Sequence, residues 1–337
     1  MIVILGNENG TFGEPIISFM RFSHLNQIFP CTAIDFNNDS LLDIVLYDDF
    51  LNSIRVLLGN GNGTFHEIIF LIENCADEIT DISIGNLNND RFLDLAAVCS
   101  STESINIVFG NANGTSAQNT ILNNFTADIN SIIAIEIADF NGDNCDDILF
   151  INDVDGSVNV FLGYGNGLFD TQKTSLFNRE INVFFIVIGD FNKDMRRDLI
   201  FSYLDIRTGS PTAGLMFGYN DGTFDIPIPV PLEMNIYYLT RPAVGDFNND
   251  GYLDLVAFTF FPSILNVYFG DGNGNFESYT ISSSSIFTAY LAVVDFNDDG
   301  YQDVFCFQYF TDVQVFLNTR QCDNASAIFG TTTLTYG

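Results

Sequence analysis

Asp246-Phe247-Asn248-Asn249-Asp250-Gly251-Tyr252-Leu253-Asp254 decides the reading of this chain, because it recurs. Its counterparts run over Asp35–Asp43 (DFNNDSLLD), Asn86–Asp94 (NLNNDRFLD), Asp139–Asp147 (DFNGDNCDD), Asp190–Asp198 (DFNKDMRRD) and Asp295–Asp303 (DFNDDGYQD). Successive copies begin 51, 53, 51, 56 and 49 residues apart. A second motif, Leu58-Gly59-Asn60-Gly61-Asn62-Gly63-Thr64-Phe65, keeps the same period, with copies beginning at Leu5, Phe109, Leu162, Phe217 and Phe269. Two unlike motifs locked to one period mark a repeat architecture.

Each period reads as four short strands. In the fifth, strand one ends at Ala243–Gly245, strand two is Leu255–Thr259, strand three is Leu265–Phe269 and strand four lies near Ser278–Ile281. The acidic stretch joins strands one and two. The glycine-rich motif is the turn after strand three, with Gly and Asn where positive φ is required. About 50 residues per four strands is the unit of a β-propeller blade. The fold class is therefore all-β, with the whole of 1–337 forming one propeller domain. Residues 1–20 read as strands three and four of a partial blade. About 28–317 hold six repeats, and 318–337 are a tail or closing strands. Dividing the length by the period gives about 6.5 units. This favours seven blades, the partial one completed by the tail, over six blades with one end redundant.

The composition fits a folded chain that carries unusual charge. The 43 Asp and Glu stand against 11 Lys and Arg, a formal charge of −32, yet 47% of residues are hydrophobic. That apolar content excludes disorder. The charge argues against nucleic acid and against an anionic membrane surface as partners, since both need a cationic face. No apolar run approaches the roughly 18 residues of a membrane span. Met1 leads directly into strand-like Ile2–Leu5 with no signal-peptide pattern, which suggests an interior piece of a longer secreted chain or a cytosolic one.

The acidic loops account for much of the charge. In D-x-N-x-D-x-x-x-D, oxygens at positions 1, 3 and 5 of a tight loop turn inward together. Position 7 offers its backbone carbonyl and position 9 a carboxylate. That all-oxygen set suits Ca²⁺, which takes six to eight oxygens, better than the tighter octahedron of Mg²⁺. Position 1 is Asp35, Asn86, Asp139, Asp190, Asp246 and Asp295; position 3 is Asn37, Asn88, Asn141, Asn192, Asn248 and Asn297. Position 5 is Asp39, Asp90, Asp143, Asp194, Asp250 and Asp299; position 7 is Leu41, Phe92, Cys145, Arg196, Tyr252 and Tyr301. Position 9 is Asp43, Asp94, Asp147, Asp198, Asp254 and Asp303. Up to six Ca²⁺ are expected. Loops five and six, with Gly251 and Gly300 at position 6, are expected to be strongest. Loop two, with Asn86 and Arg91, and loop four, with Lys193, Arg196 and Arg197, are expected to be weakest. Seventeen of the 43 acids occupy these positions, so six Ca²⁺ would bring −32 to about −20.

The repeat resembles the FG-GAP/VCBS family, whose best-known members are the integrin α-chain propellers. Phe109-Gly110, Phe217-Gly218 and Phe269-Gly270 stand where the family has Phe-Gly, with Leu-Gly in other copies. The resemblance spans almost the whole chain. It implies a seven-bladed propeller with Ca²⁺ in the loops between strands one and two, on the face opposite the usual ligand face. Integrin chains carry such loops in only some blades, whereas all six copies here keep most of the pattern. The chain therefore looks more like a free-standing repeat protein than an integrin.

No catalytic residue is expected. His24 and His66 lie outside the acidic loops and form no convergent trio, and the glycine-rich turn lacks the Lys-Ser/Thr and helix of a phosphate loop. Among the six cysteines, Cys75 and Cys99 flank strands one and two of one blade, at the end away from its acidic loop, and are the disulfide candidate. Asn9, Asn62, Asn113, Asn124 and Asn324 begin glycosylation sequons. The expectation is an extracellular or cell-surface calcium-binding module for a protein or matrix ligand. The alternatives are a lectin-like propeller, which the absence of Trp counts against, and a non-catalytic part of a larger secreted protein.

Overall fold

A computed structural model describes residues 2–3, 16–17, 31–48, 53–71, 75, 79–99, 104–115, 118–122, 132–152, 155–176, 181–205, 210–230, 242–260, 263–282, 288–297, 299–308, 312–318 and 329–335. Among these the fold is all-β. β1 (Ile2–Val3) and β2 (Ile16–Ile17) form an antiparallel pair, and 24 further strands form six four-stranded sheets.

The six sheets share one topology, an antiparallel meander in chain order. The first contains β3 (Cys31–Ile34), β4 (Asp43–Asp48), β5 (Ser53–Gly59) and β6 (Phe65–Leu71). The second contains β7 (Ile79–Gly85), β8 (Asp94–Cys99), β9 (Ser104–Phe109) and β10 (Gln118–Leu122). The third contains β11 (Ile132–Ala138), β12 (Asp147–Asn152), β13 (Ser157–Phe161) and β14 (Lys173–Leu176). The fourth is β15 (Ile181–Gly189), β16 (Asp198–Asp205), β17 (Ser210–Met216) and β18 (Ile228–Val230). The fifth is β19 (Ala243–Gly245), β20 (Asp254–Phe260), β21 (Ser263–Gly270) and β22 (Phe276–Ser282). The sixth is β23 (Thr288–Val294), β24 (Asp303–Gln308), β25 (Asp312–Asn318) and β26 (Phe329–Thr335).

The expectation of seven blades is corrected to six. The tail does not close a blade with the N-terminal strands. Its strand β26 pairs along its length with β25, from Asp312↔Thr335 to Asn318↔Phe329. The sixth sheet thereby gains the fourth strand that the sequence left unmarked, and β1 and β2 pair only with each other among the described strands.

The chain divides into two compact units, one holding the first three sheets and the other the last three. The second strands β8, β12, β16 and β20 are buried on both faces, which explains their near-continuous apolar sequence, whereas β4 and β24 carry half-buried residues on alternate positions. In the first unit Leu95, Ala97 and Cys99 of β8 pack with Val45, Ile54 and Val56 of the first sheet, and the alternate residues Ala96 and Val98 pack with Ile148 and Phe150 of the third. In the second unit Leu255 and Ala257 pack with Ile200 and Leu215, while Val256 and Phe258 pack with Val304 and Cys306. The fourth strands β14 and β18 are more exposed. Cys75 and Cys99 are joined by a disulfide, with Cα atoms 5.5 Å apart, inside the core between the first two sheets.

Candidate cation-binding loops

All six acidic loops join strand one to strand two and share one hydrogen-bond pattern. The position-1 carboxylate accepts from the backbone N–H of position 5 at 3.0–3.2 Å and, through its other oxygen, from position 6 at 2.7–2.8 Å. Asn86 of loop two has one amide oxygen and keeps the first of these bonds, from Asp90 N–H at 3.1 Å. One oxygen of position 5 accepts from the N–H of position 7 at 2.7–2.9 Å. Its other oxygen accepts from the position-3 amide at 2.8–3.2 Å. These Asx bonds replace the ladder that the backbone has left and hold positions 1, 3 and 5 in one turn.

The turn needs left-handed backbone twice. Position 6 has positive φ, as the sequence suggested, at Ser40, Arg91, Asn144, Met195, Gly251 and Gly300. Position 4 also has it, at Asn38, Asn89, Gly142, Lys193 and Asn249, which the sequence reading missed. Asn and Gly tolerate this region, whereas Met195, 89% exposed, is held there at φ 67° without that tolerance.

Position 9 makes contacts that the sequence did not suggest. All six of these aspartates are 0% exposed. One oxygen accepts from the N–H of position 2 at 2.8–2.9 Å. The other reaches across the sheet to the end of strand three, accepting from Gly59, Gly110, Gly163, Gly218, Gly270 or, in the sixth sheet, Asn318 at 2.7–3.0 Å. These glycines are those of the Phe-Gly and Leu-Gly motifs. A Cβ on any of the five would run into a backbone carbonyl of the residue before the buried aspartate. The two repeated motifs therefore recur together because they touch. The signal was present in the sequence as a 16-residue spacing from aspartate to glycine in four of the copies.

Burial raises the position-9 carboxyls, to about 7 for Asp94, Asp147 and Asp254 and about 6 for Asp198, although their backbone N–H partners pull the other way. Asp43 and Asp303 are raised for the same reason.

Neighbouring loops also touch. In the first unit, Asp146 at position 8 of loop three accepts from Asn86 N–H of loop two at 2.7 Å, and Gln302 does the same for Asp246 N–H in the second unit at 2.7 Å. Asn89 Nδ2 lies 3.6 Å from Cys145 Sγ. Lys193 Nζ donates to the Asp250 carbonyl at 3.3 Å and sits 4.0 Å from the Tyr252 ring centroid. In loop four, the Arg196 guanidinium forms an ion pair with Asp194.

Among the described residues, no group of three or more His, Cys, Asp or Glu is arranged to hold a metal ion. The donor chemistry of the loops nevertheless fits a hard cation. Their oxygens come from carboxylates, amides and carbonyls, and each carboxylate oxygen bonded to one N–H retains acceptor capacity. In loop one Asn37 Oδ1 is buried without a hydrogen-bond partner, in a residue 8% exposed. In the other loops the same oxygen accepts from the position-5 N–H at 2.9–3.2 Å.

The remaining sequence candidates are scattered. Asn62 and Asn113 are exposed on glycine-rich turns, where Asn62 Oδ1 accepts from the Thr64 hydroxyl at 2.7 Å. Asn9, Asn124, Asn324 and His24 lie outside the described residues, and His66 is exposed on β6. Cys306 is buried, its thiol pushed up to about 12 by burial.

Two stretches of the chain match the model of the FG-GAP-like repeat family. The family model matches residues 35–97 and 139–201, each span beginning at position 1 of an acidic loop and ending in the second strand of the next sheet. No curated protein matches the chain. Among solved structures it is similar to an Agrocybe aegerita lectin described as specifically recognising non-reducing terminal N-acetylglucosamine. That likeness has 18% identity and a TM-score of 0.62, covering 84% of this chain and 75% of that one. The Dos1 propeller is similar at 15% identity and a TM-score of 0.47, over 91% of this chain and 69% of that one.

Proposed function

We propose that the chain is a non-enzymatic binding module whose acidic loops hold Ca²⁺ and which works outside the cell on a protein or matrix ligand. The observation that carries the calcium reading is the buried, unpartnered Asn37 Oδ1, set in a turn whose geometry recurs in all six loops. A hard cation gives that oxygen the partner it lacks. In each loop, positions 1, 3 and 5, the position-7 carbonyl and the position-9 carboxylate would hold the ion. The ion would supply the positive charge that these crowded carboxylates lack. The Cys75–Cys99 disulfide suits an oxidising compartment. Calorimetry of EDTA-stripped protein tests the calcium reading. Saturable calcium uptake supports it, and a flat isotherm at millimolar Ca²⁺ removes it.

A second reading, carbohydrate binding, is favoured by the likeness to the N-acetylglucosamine-recognising lectin, a likeness of fold at 18% identity. A glycan array in calcium buffer decides it. Binding to terminal N-acetylglucosamine would make the ligand a sugar, and a blank array would leave the protein or matrix ligand.

A further inference from the structure

Loops five and six carry the same residues at positions 1, 3, 5, 6, 7 and 9, Asp246/Asn248/Asp250/Gly251/Tyr252/Asp254 against Asp295/Asn297/Asp299/Gly300/Tyr301/Asp303. Their own donors give no reason for them to differ. Their surroundings do. Lys193, at position 4 of loop four, extends to loop five. Its ammonium donates to the Asp250 carbonyl at 3.3 Å, lies over the Tyr252 ring and abuts Gly251. It therefore sits beside positions 5 to 7, the part of the turn that would wrap an ion. The reach comes from the backbone. Position 4 is left-handed in both loop two and loop four, and Asn89 of loop two likewise extends to position 7 of loop three, at Cys145. At position 4 of loop five, one step further on, stands the neutral Asn249.

We propose that Lys193 is a tethered counter-cation of loop five. It places a fixed positive charge at the Asp250 carbonyl and the Tyr252 ring of that loop, supports the turn when no metal is bound, and opposes a divalent ion arriving there. Loop five then binds Ca²⁺ more weakly than loop six despite the matching donors. This rests on the calcium reading above, and it fixes the order of affinity between two loops that the sequence ranked together.

The test uses the full chain stripped with EDTA and titrated with Tb³⁺, whose emission is sensitised by nearby tyrosine. Subtracting the Tyr252→Phe curve isolates loop five, and subtracting the Tyr301→Phe curve isolates loop six. In the parent chain loop five should half-saturate at the higher concentration. Lys193→Gln should tighten loop five by about threefold to tenfold and leave loop six unmoved. Asn249→Lys, which puts the same reach one loop on, should weaken loop six by a similar factor. With EDTA present, Lys193→Gln should melt at a lower temperature than the parent. An unchanged loop-five curve in Lys193→Gln, with loop six binding normally, overturns the role of Lys193 alone. No sensitised binding in either loop of any variant overturns the calcium reading and this inference together.

Discussion

Loops four and five are built on one scaffold and carry different charge, three Asp offset by Lys193, Arg196 and Arg197 in the one and three Asp with no cation of its own in the other. In both, the position-1 aspartate ties the N–H groups of positions 5 and 6, and the buried aspartate at position 9 clasps a glycine at the end of strand three. Loop four then adds its own cations. Arg196 pairs with Asp194, and Lys193 leans away onto loop five. Loop five has Gly251 at the second left-handed position, where loop four has Met195. The difference separates two jobs of the acidic motif. The clasp shapes the turn in every sheet, whatever sits in the loop. The residues between and after the shared Asp, Asn and Asp of positions 1, 3 and 5 decide what a cation finds there.

Calcium removal should have the largest effect. At ten times Kd each occupied site adds about 1.4 kcal/mol, so six would add about 8 kcal/mol. EDTA should therefore lower the melting temperature strongly in calorimetric scans, and loop four should contribute least. Breaking the clasp should come next. Asp198→Ala and Asp254→Ala each strip two backbone N–H groups of their acceptor, which costs about 2–5 kcal/mol. In EDTA the two losses should match, because the clasp is common to both loops. In calcium Asp254→Ala should lose more. Denaturant unfolding of both variants under both conditions measures this.

A smaller effect should appear with pH in the calcium-free protein. The buried carboxyls have folded-state values raised to about 6–7, above the ordinary 3.8 of the unfolded chain. Their contribution is fully present below 3.8 and is lost as pH rises through about 7. Calcium-free protein should therefore melt higher at pH 5 than at pH 8. Bound calcium, which favours the ionised form, should reverse that order. The smallest change should come from Met195→Gly, which relieves a left-handed non-glycine and should stabilise the fold by about 1 kcal/mol in chemical denaturation.

Much of this was legible because the repeat writes the same physics six times. The spacing of D-x-N-x-D-x-x-x-D located each strand-one-to-two loop, and the apolar run Leu255–Thr259 located strand two of the fifth repeat. Two kinds of feature were not legible. The fourth strand of the sixth sheet, Phe329–Thr335, is rich in Thr and lacks the acidic and glycine-rich landmarks, so its partner could not be assigned and seven blades looked favoured. The clasp was hidden because it joins two motifs that the sequence presents as separate, an aspartate in a polar loop and a glycine in a turn. Lys193 read only as a disturbance to its own loop. Its contact with loop five depends on a left-handed position 4 that a lone lysine does not announce.

If one scaffold supports acidic loops of graded cation affinity, the loops should fill in order of that affinity. Native mass spectrometry of the full chain across a calcium titration tests it most directly. Calcium should add stepwise up to six ions, with the last additions needing the highest concentration, and with Asp295→Asn or Asp299→Asn removing one of the early additions. A spectrum that stays at the metal-free mass through millimolar calcium would contradict it.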